Sequence, residues 1–190
     1  APTFETILTL SSHEPFEVPY ARLEDKLLNA FAFTDEVIGK FVERLRQSEH
    51  WANTLIIIIP DHGYPYPASV SNYSAERHHI PMLWLGGAVA EPRTIESYAA
   101  QTDLAATLLA QLSLPHDAYP FSRNIASAEA THFGDWTFNN GFGIASSEGT
   151  TIYDCDTARS IVSTTDSMEQ EHLRYGKALL QSTFYEIERL

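Results

Sequence analysis

The residues with the most chemical reach are Asp61-His62-Gly63, which follow directly on Leu55-Ile56-Ile57-Ile58-Ile59-Pro60. A carboxylate and a neutral imidazole side by side can both ligate a divalent ion, and such an ion polarises a phosphoryl or sulfuryl oxygen. Gly63 lets the backbone turn sharply beneath them. A plainer role is open to the same pair, with Asp61 capping a turn and His62 a partly buried imidazole. Its position just after an all-apolar strand favours chemistry, because ligands bind beyond the carboxyl ends of strands in open α/β sheets. Two other places carry suitable groups. His13, in Ser12-His13-Glu14-Pro15-Phe16, could donate to an anionic oxygen of a substrate, although taken alone it is an ordinary loop histidine. Glu76-Arg77-His78-His79 offers a guanidinium for two-pronged oxyanion contact and an imidazole for metal or substrate, against the alternative of a solvated charged loop. His116 and His132 have no comparable context, and His50, His172 and Glu169-Gln170-Glu171 read as solvent-facing.

These residues need elements to position them. The five branched apolar residues 55–59 suit a strand buried on both faces, as in the interior of a parallel sheet, and Pro60 ends its ladder. Residues 4–10 (Phe-Glu-Thr-Ile-Leu-Thr-Leu) read as another strand, closed by Ser11-Ser12. After Pro19, the spacing of Leu23, Leu27, Ala30, Thr34, Val37, Phe41 and Leu45 predicts a long helix. Strand, helix and strand make a right-handed unit with parallel strands. The loop bearing His13 then opens on the same sheet edge as Asp61 and His62. Residues 64–75 show no helical period. Ile80 to Leu85 reads as a third strand stopped by Gly86-Gly87. With no crossover helix before it, it should run antiparallel to residues 54–59 and bring Glu76 to His79 to that edge.

Thr102-Asp103 looks like the start of a helix that ends before Pro115, and residues 116–130 like loop with a short helical turn. From His132 to Val162 the period becomes two. Trp136-Thr137-Phe138 and Phe142-Gly143-Ile144 flank Asn139-Asn140-Gly141, a strong hairpin signal, and a second turn follows at Glu148-Gly149. Thr151-Ile152-Tyr153 and Ser160-Ile161-Val162 complete a small antiparallel sheet. Residues 168–190 form a last amphipathic helix, with Leu173, Leu179, Leu180, Phe184 and Ile187 as its inner face.

Composition narrows the function classes. A formal charge of −13, with only 12 Lys and Arg, scattered along the chain, argues against a nucleic-acid binder. An apolar content of 44% over 190 residues is enough for a proper core. The single cysteine, Cys155, excludes an internal disulfide and a Cys-rich zinc site. No apolar run reaches the roughly 18–20 residues needed to span a bilayer, and no signal peptide is recognisable. The chain opens Ala1-Pro2-Thr3 almost directly into a strand, so we expect a piece of a longer protein with any targeting segment upstream. The nucleophile elbow Gly-x-Ser-x-Gly, the P-loop, His-Glu-x-x-His and Gly-x-Gly-x-x-Gly are all missing, which removes sequence support for serine hydrolase, NTPase, zincin and dinucleotide-binding readings.

Four stretches occur in a telling order: residues 9–16 (Thr-Leu-Ser-Ser-His-Glu-Pro-Phe), 53–63, 79–84 (His-Ile-Pro-Met-Leu-Trp) and 101–109 (Gln-Thr-Asp-Leu-Ala-Ala-Thr-Leu-Leu). Together they resemble the C-terminal half of the sulfatase-like, lipoteichoic acid synthase-type enzymes of the alkaline phosphatase superfamily, over roughly residues 4–155. The resemblance implies a three-layer α/β/α fold with a mostly parallel central sheet and a small antiparallel C-terminal sheet, as an incomplete domain. Residues 1–130 would belong to the catalytic half-domain, and 131–190 would be the small sheet and terminal helix of the same domain. It implies a divalent metal ion (Mn, Mg, Zn or Ca) held by Asp61 and His62. Contacts to an anionic phosphate- or sulfate-ester substrate would come from His13, Arg77 and His79. Asp103 would be a cap rather than a catalyst. No nucleophile falls within the chain; the Thr of such enzymes, or formylglycine in true sulfatases, would lie upstream of Ala1. Cys155 lacks the Cys-x-Pro-x-Arg setting of a sulfatase nucleophile. Little or no turnover is therefore expected from these 190 residues alone. Phosphoglycerol-type transfer ranks above sulfate hydrolysis, because Asp-His suits that branch better than the Asp-Asn of sulfatases. A non-catalytic module that holds an anionic glycan or lipid headgroup is the alternative from another class. The resemblance also implies membrane anchoring of the full-length protein and a cell-envelope location, on the periplasmic or extracellular face of the inner membrane.

Overall fold

A computed structural model describes residues 2–189. The chain forms two compact units. One takes the residues up to Ile58 together with Leu83–Pro92, and the other takes Ile59–Met82 together with Arg93 onward.

In the first unit the long helix α1 spans Lys26–Arg46, close to the reading from apolar spacing. Asp25 starts it by accepting from the amides of Leu27 (2.7 Å) and Leu28 (3.2 Å), which satisfies two of the donors a helix start leaves open. Asn29, itself buried, locks the approach. It accepts from the amides of Arg22 and Leu23, and donates to the carbonyls of Leu23 and Asp25. Burial is concentrated at this end, on Leu27 and Ala30, while Val37 and Phe41 of the expected inner stripe are exposed.

Strand β1 (Ile56–Ile58) pairs antiparallel with β2 (Leu83–Leu85), Ile57 opposite Trp84, as the short connection required. Its three isoleucines are half-buried rather than enclosed on both faces. Gly86 ends β2 at φ +120°, a backbone conformation that L side chains rarely adopt, with the Thr54 carbonyl where a Cβ would lie.

Residues 4–10 do not form the expected strand. Phe4, Ile7, Leu8 and Leu10 are exposed, and residues 2–9 make no backbone hydrogen bond among the described residues. A strand exists through its ladder, and no described segment lies alongside this one to supply it. The parallel pair expected of strand, helix and strand is therefore not formed, and the strand pairings among the described residues are all antiparallel.

The second unit holds two short pieces and a well-packed end. Helix α2 (Ala75–His78) falls in a stretch read as loop; Ser74 caps it by accepting from the Arg77 amide. Helix α3 (Leu104–Gln111) is entered through a 3-10 turn, Gln101–Asp103. The small sheet has the order β3 (Gly134–Phe138), β4 (Gly141–Ser146), β5 (Gly149–Asp154) and β6 (Arg159–Ser163), all antiparallel. Phe138 pairs with Gly141, so the first hairpin turns on Asn139-Asn140, with Asn140 at φ +59°. Asparagine tolerates that left-handed conformation.

Helix α4 (Glu169–Glu188) covers one face of this sheet. Phe142, Ile144 and Tyr153 form the buried cluster, with Phe133, Leu173, Leu179 and Leu180 against it. Gly176 permits the close approach, because a Cβ there would stand 1.9 Å from the Phe142 ring. Phe184 and Ile187, expected on the inner face, are exposed at the far end of α4. His172, expected to face solvent, is only 1% exposed. It shares the inner stripe with Gly176, one turn on, and meets two hydroxyls: Ser146 at its Nε2 (3.1 Å) and Thr151 at its Nδ1 (3.0 Å). Among the described residues no helix is long and apolar enough to cross a membrane.

Candidate metal centre

Several identifiable groups hold the segment after β1. Pro60 has no N–H to extend a ladder. Asp61 and His62 are exposed, with Asp61 Oδ2 and His62 Nε2 3.8 Å apart. The His62 amide donates to Asp61 Oδ1 at 3.0 Å, which fixes the carboxylate against the backbone. His62 Nδ1 lies 2.8 Å from the Gly63 carbonyl. A carbonyl only accepts, so Nδ1 carries the proton of the neutral ring and Nε2 keeps its lone pair. That is the tautomer a metal ligand needs, oriented by the kind of partner that ligating histidines use.

Gly63 is packed tightly: a Cβ would stand 2.2 Å from the Arg77 carbonyl oxygen. The Arg77 guanidinium returns to the same place, its Nη1 donating to the Gly63 carbonyl. From the other side the Gln101 carboxamide donates to the carbonyls of Pro60 (2.7 Å) and Asp61 (3.1 Å). Of the residues singled out from the sequence, the structure thus brings Asp61, His62 and Arg77 together. Gln101 joins them; the sequence reading passed over it because a glutamine at the mouth of a helix looks like ordinary surface.

His78 and His79 diverge. His79 is exposed at the end of α2. His78 stacks on Trp136, with ring centroids 5.6 Å apart, and places Nε2 3.1 Å from the Asn72 carbonyl. Burial pushes the His78 imidazole below its ordinary value, and the nearby Arg77 charge adds to this. His13 belongs to the other unit. It is exposed, and its Nδ1 lies 2.8 Å from the Glu14 carbonyl.

Asp103 is structural. It is fully buried and accepts from the Ala100 amide (2.8 Å), the Arg123 amide (2.7 Å), Arg123 Nε (2.9 Å) and Arg123 Nη2 (2.6 Å). Thr107 Oγ1, buried one turn on, donates to the Asp103 carbonyl and accepts from the Ile125 amide. The acid and the threonine of Thr-Asp-Leu-x-x-Thr therefore fasten the start of α3 to residues 123–125.

Two donors about 2.1 Å from one ion stand about 3.4 Å apart in tetrahedral geometry, so Asp61 Oδ2 and His62 Nε2, at 3.8 Å, lie within a few tenths of an ångström of the spacing one ion asks. They fit as two ligands of it. Among the described residues no group of three or more His, Cys, Asp or Glu side chains is placed to hold a metal.

The fold is shared with a crystal structure of a protein in the alkaline phosphatase superfamily from Vibrio parahaemolyticus. That structure matches with a TM-score of 0.68 at 20% identity, over 92% of this chain and 48% of that one. The class is therefore an α/β protein of alkaline phosphatase-like fold. Residues 1–114 match the family model described as Sulfatase, which includes every residue of the candidate centre, and the chain belongs to that family. It is 31% identical over 140 residues to phosphoglycerol transferase I of Xanthomonas campestris pv. campestris, covering 68% of this chain and 20% of that protein. With phosphoglycerol transferase I of Xanthomonas axonopodis pv. citri it shares 28% identity over 142 residues. The chain spans about a fifth of the length of these curated relatives.

Proposed function

We propose that these residues are part of a divalent-metal-dependent enzyme that transfers a phosphoglycerol-type group, with the nucleophile on a part of the protein outside this chain. The observation that carries the reading is the Asp61–His62 pair. Its free Nε2 lies 3.8 Å from a carboxylate oxygen, within a sulfatase-family match whose relatives include phosphoglycerol transferases. The bound ion would supply Lewis-acid polarisation of the ester oxygen. Asp61 would hold it through Oδ2 and His62 through Nε2. Arg77 uses one N–H on Gly63 and has others left for a non-bridging oxygen of the substrate. His13, with Nδ1 committed to the Glu14 carbonyl, donates to an oxyanion through Nε2 only as the imidazolium. His79 is the further substrate contact. The anionic ester substrate, anchoring in a membrane and a cell-envelope location belong to the same proposal.

The test is Mn²⁺ binding to the intact protein, with Asp61→Ala and His62→Ala beside the parent. Both variants should lose saturable binding and the release of a chromophore from a phosphodiester substrate. Unchanged metal binding in both would leave a non-catalytic module that holds an anionic glycan or lipid headgroup. Turnover of an aryl sulfate but not of the phosphodiester would move the reading to sulfate-ester hydrolysis.

A further inference from the structure

We propose that Gln101 is a positioning residue for the Asp61–His62 pair, a role that rests on the metal-centre reading above. Its Nε2 carries two hydrogens, and two carbonyls receive them: Pro60 at 2.7 Å and Asp61 at 3.1 Å, from 41 and 40 residues away in sequence. These are the carbonyls immediately before and at the first candidate ligand. The other bonds that Asp61 and His62 make are local, reaching no further than the next residue. Among the described residues Gln101 thus ties the Pro60–Asp61 backbone to a distant point of the same unit, while Arg77 holds the next carbonyl, that of Gly63.

That point is firm. Two residues on, the buried Asp103 carboxylate receives four hydrogen bonds, three of them from Arg123. Gln101 therefore carries the rigidity of the α3 entrance to the ligand-bearing turn. The residue type is specific. Glutamate has no hydrogen to donate to a carbonyl, and asparagine is one methylene shorter. Lysine would set a positive charge beside a cation site. A neutral carboxamide fixes the backbone without competing for the ion, and groups behind a ligand commonly set metal affinity in this way.

The experiment compares the intact protein with Gln101→Met, which keeps the volume and loses the donor, and with Asp61→Ala. Mn²⁺ affinity is read from the EPR signal of the free ion, and the melting midpoint is read without metal. Gln101→Met should bind Mn²⁺ about tenfold more weakly with its metal-free midpoint unchanged. An affinity for Gln101→Met equal to the parent, while Asp61→Ala abolishes binding, would overturn the role of Gln101 and leave the metal-centre reading standing. A metal-free midpoint that falls in step with the affinity would assign Gln101 to general folding and also overturn the proposal. Undiminished binding in Asp61→Ala would remove the metal-centre reading, and this proposal with it.

Discussion

Arg123 meets Asp103 fork to fork: Nε reaches Oδ1 at 2.9 Å and Nη2 reaches Oδ2 at 2.6 Å, with the carboxylate wholly out of contact with solvent. The guanidinium also lies 3.7 Å from the centre of the Phe133 ring and donates to the carbonyls of Thr131 and Phe133. One arginine thereby ties the start of α3 to the approach to the small sheet.

Removing one half of a buried pair strands the other half. Arg123→Met should therefore lower the unfolding free energy by about 3–5 kcal/mol, measured by urea denaturation. Asp103→Leu combined with Arg123→Met should recover only part of that loss, because it leaves no unpaired charge but takes the acceptor from the Ala100 and Arg123 amides. A double-mutant cycle in which the two losses simply add would show that the pair is not coupled.

His172 gives the fold a pH dependence of known sign. Burial pushes its imidazole below the ordinary value, and the Glu171 and Glu148 carboxylates oppose this to a smaller extent. The unfolded chain then takes up the proton more readily than the folded one. Stability from the neutral ring is fully present above the ordinary value near 6.5, and is lost as pH falls through the lowered folded value. The urea midpoint should drop between about pH 7.5 and about pH 5.5, and His172→Gln should flatten that slope. His78, lowered by burial as well, acts in the same direction, so His78→Gln serves as the comparison.

Gly176→Ala tests how closely α4 sits on the sheet. The added methyl would meet Phe142 Cε2 at 1.9 Å, and Phe142 is 2% exposed, with no room to swing away. A loss of about 1–3 kcal/mol is expected by urea denaturation. Adding Phe142→Leu should return part of it, because the clash is with the ring.

What the sequence disclosed follows from how local each signal is. The apolar spacing before Leu45 marked α1, Asn140-Gly141 marked the hairpin, and the short link before Ile80 marked β1 and β2 as antiparallel. Ser74 before Ala-Glu was a readable cap for α2, but only four residues follow it, too few to show a period. Residues 4–10 have strand composition, yet strand formation depends on a neighbour that composition does not name. The Arg123–Asp103 fork joins residues 20 apart and has no local mark at all. His172 was hidden by the charged run before it, although its four-residue spacing from Gly176 would have placed it inward. At the candidate centre Asp61, His62 and Arg77 were legible by type and position, whereas Gln101 declares itself only when its two carbonyl partners are located.

Opposite Trp136 in the β3–β4 register stands Gly143, and a methyl there would fall 2.1 Å from the indole. The ring takes up the space a side chain would have filled. From that berth its Nε1 grips the Tyr73 carbonyl at 3.1 Å while its face receives His78. A truncation just ahead of Gly134 would therefore loosen more than four strands, since residues 73–78, the stretch that aims Arg77 at Gly63, would lose their aromatic footing.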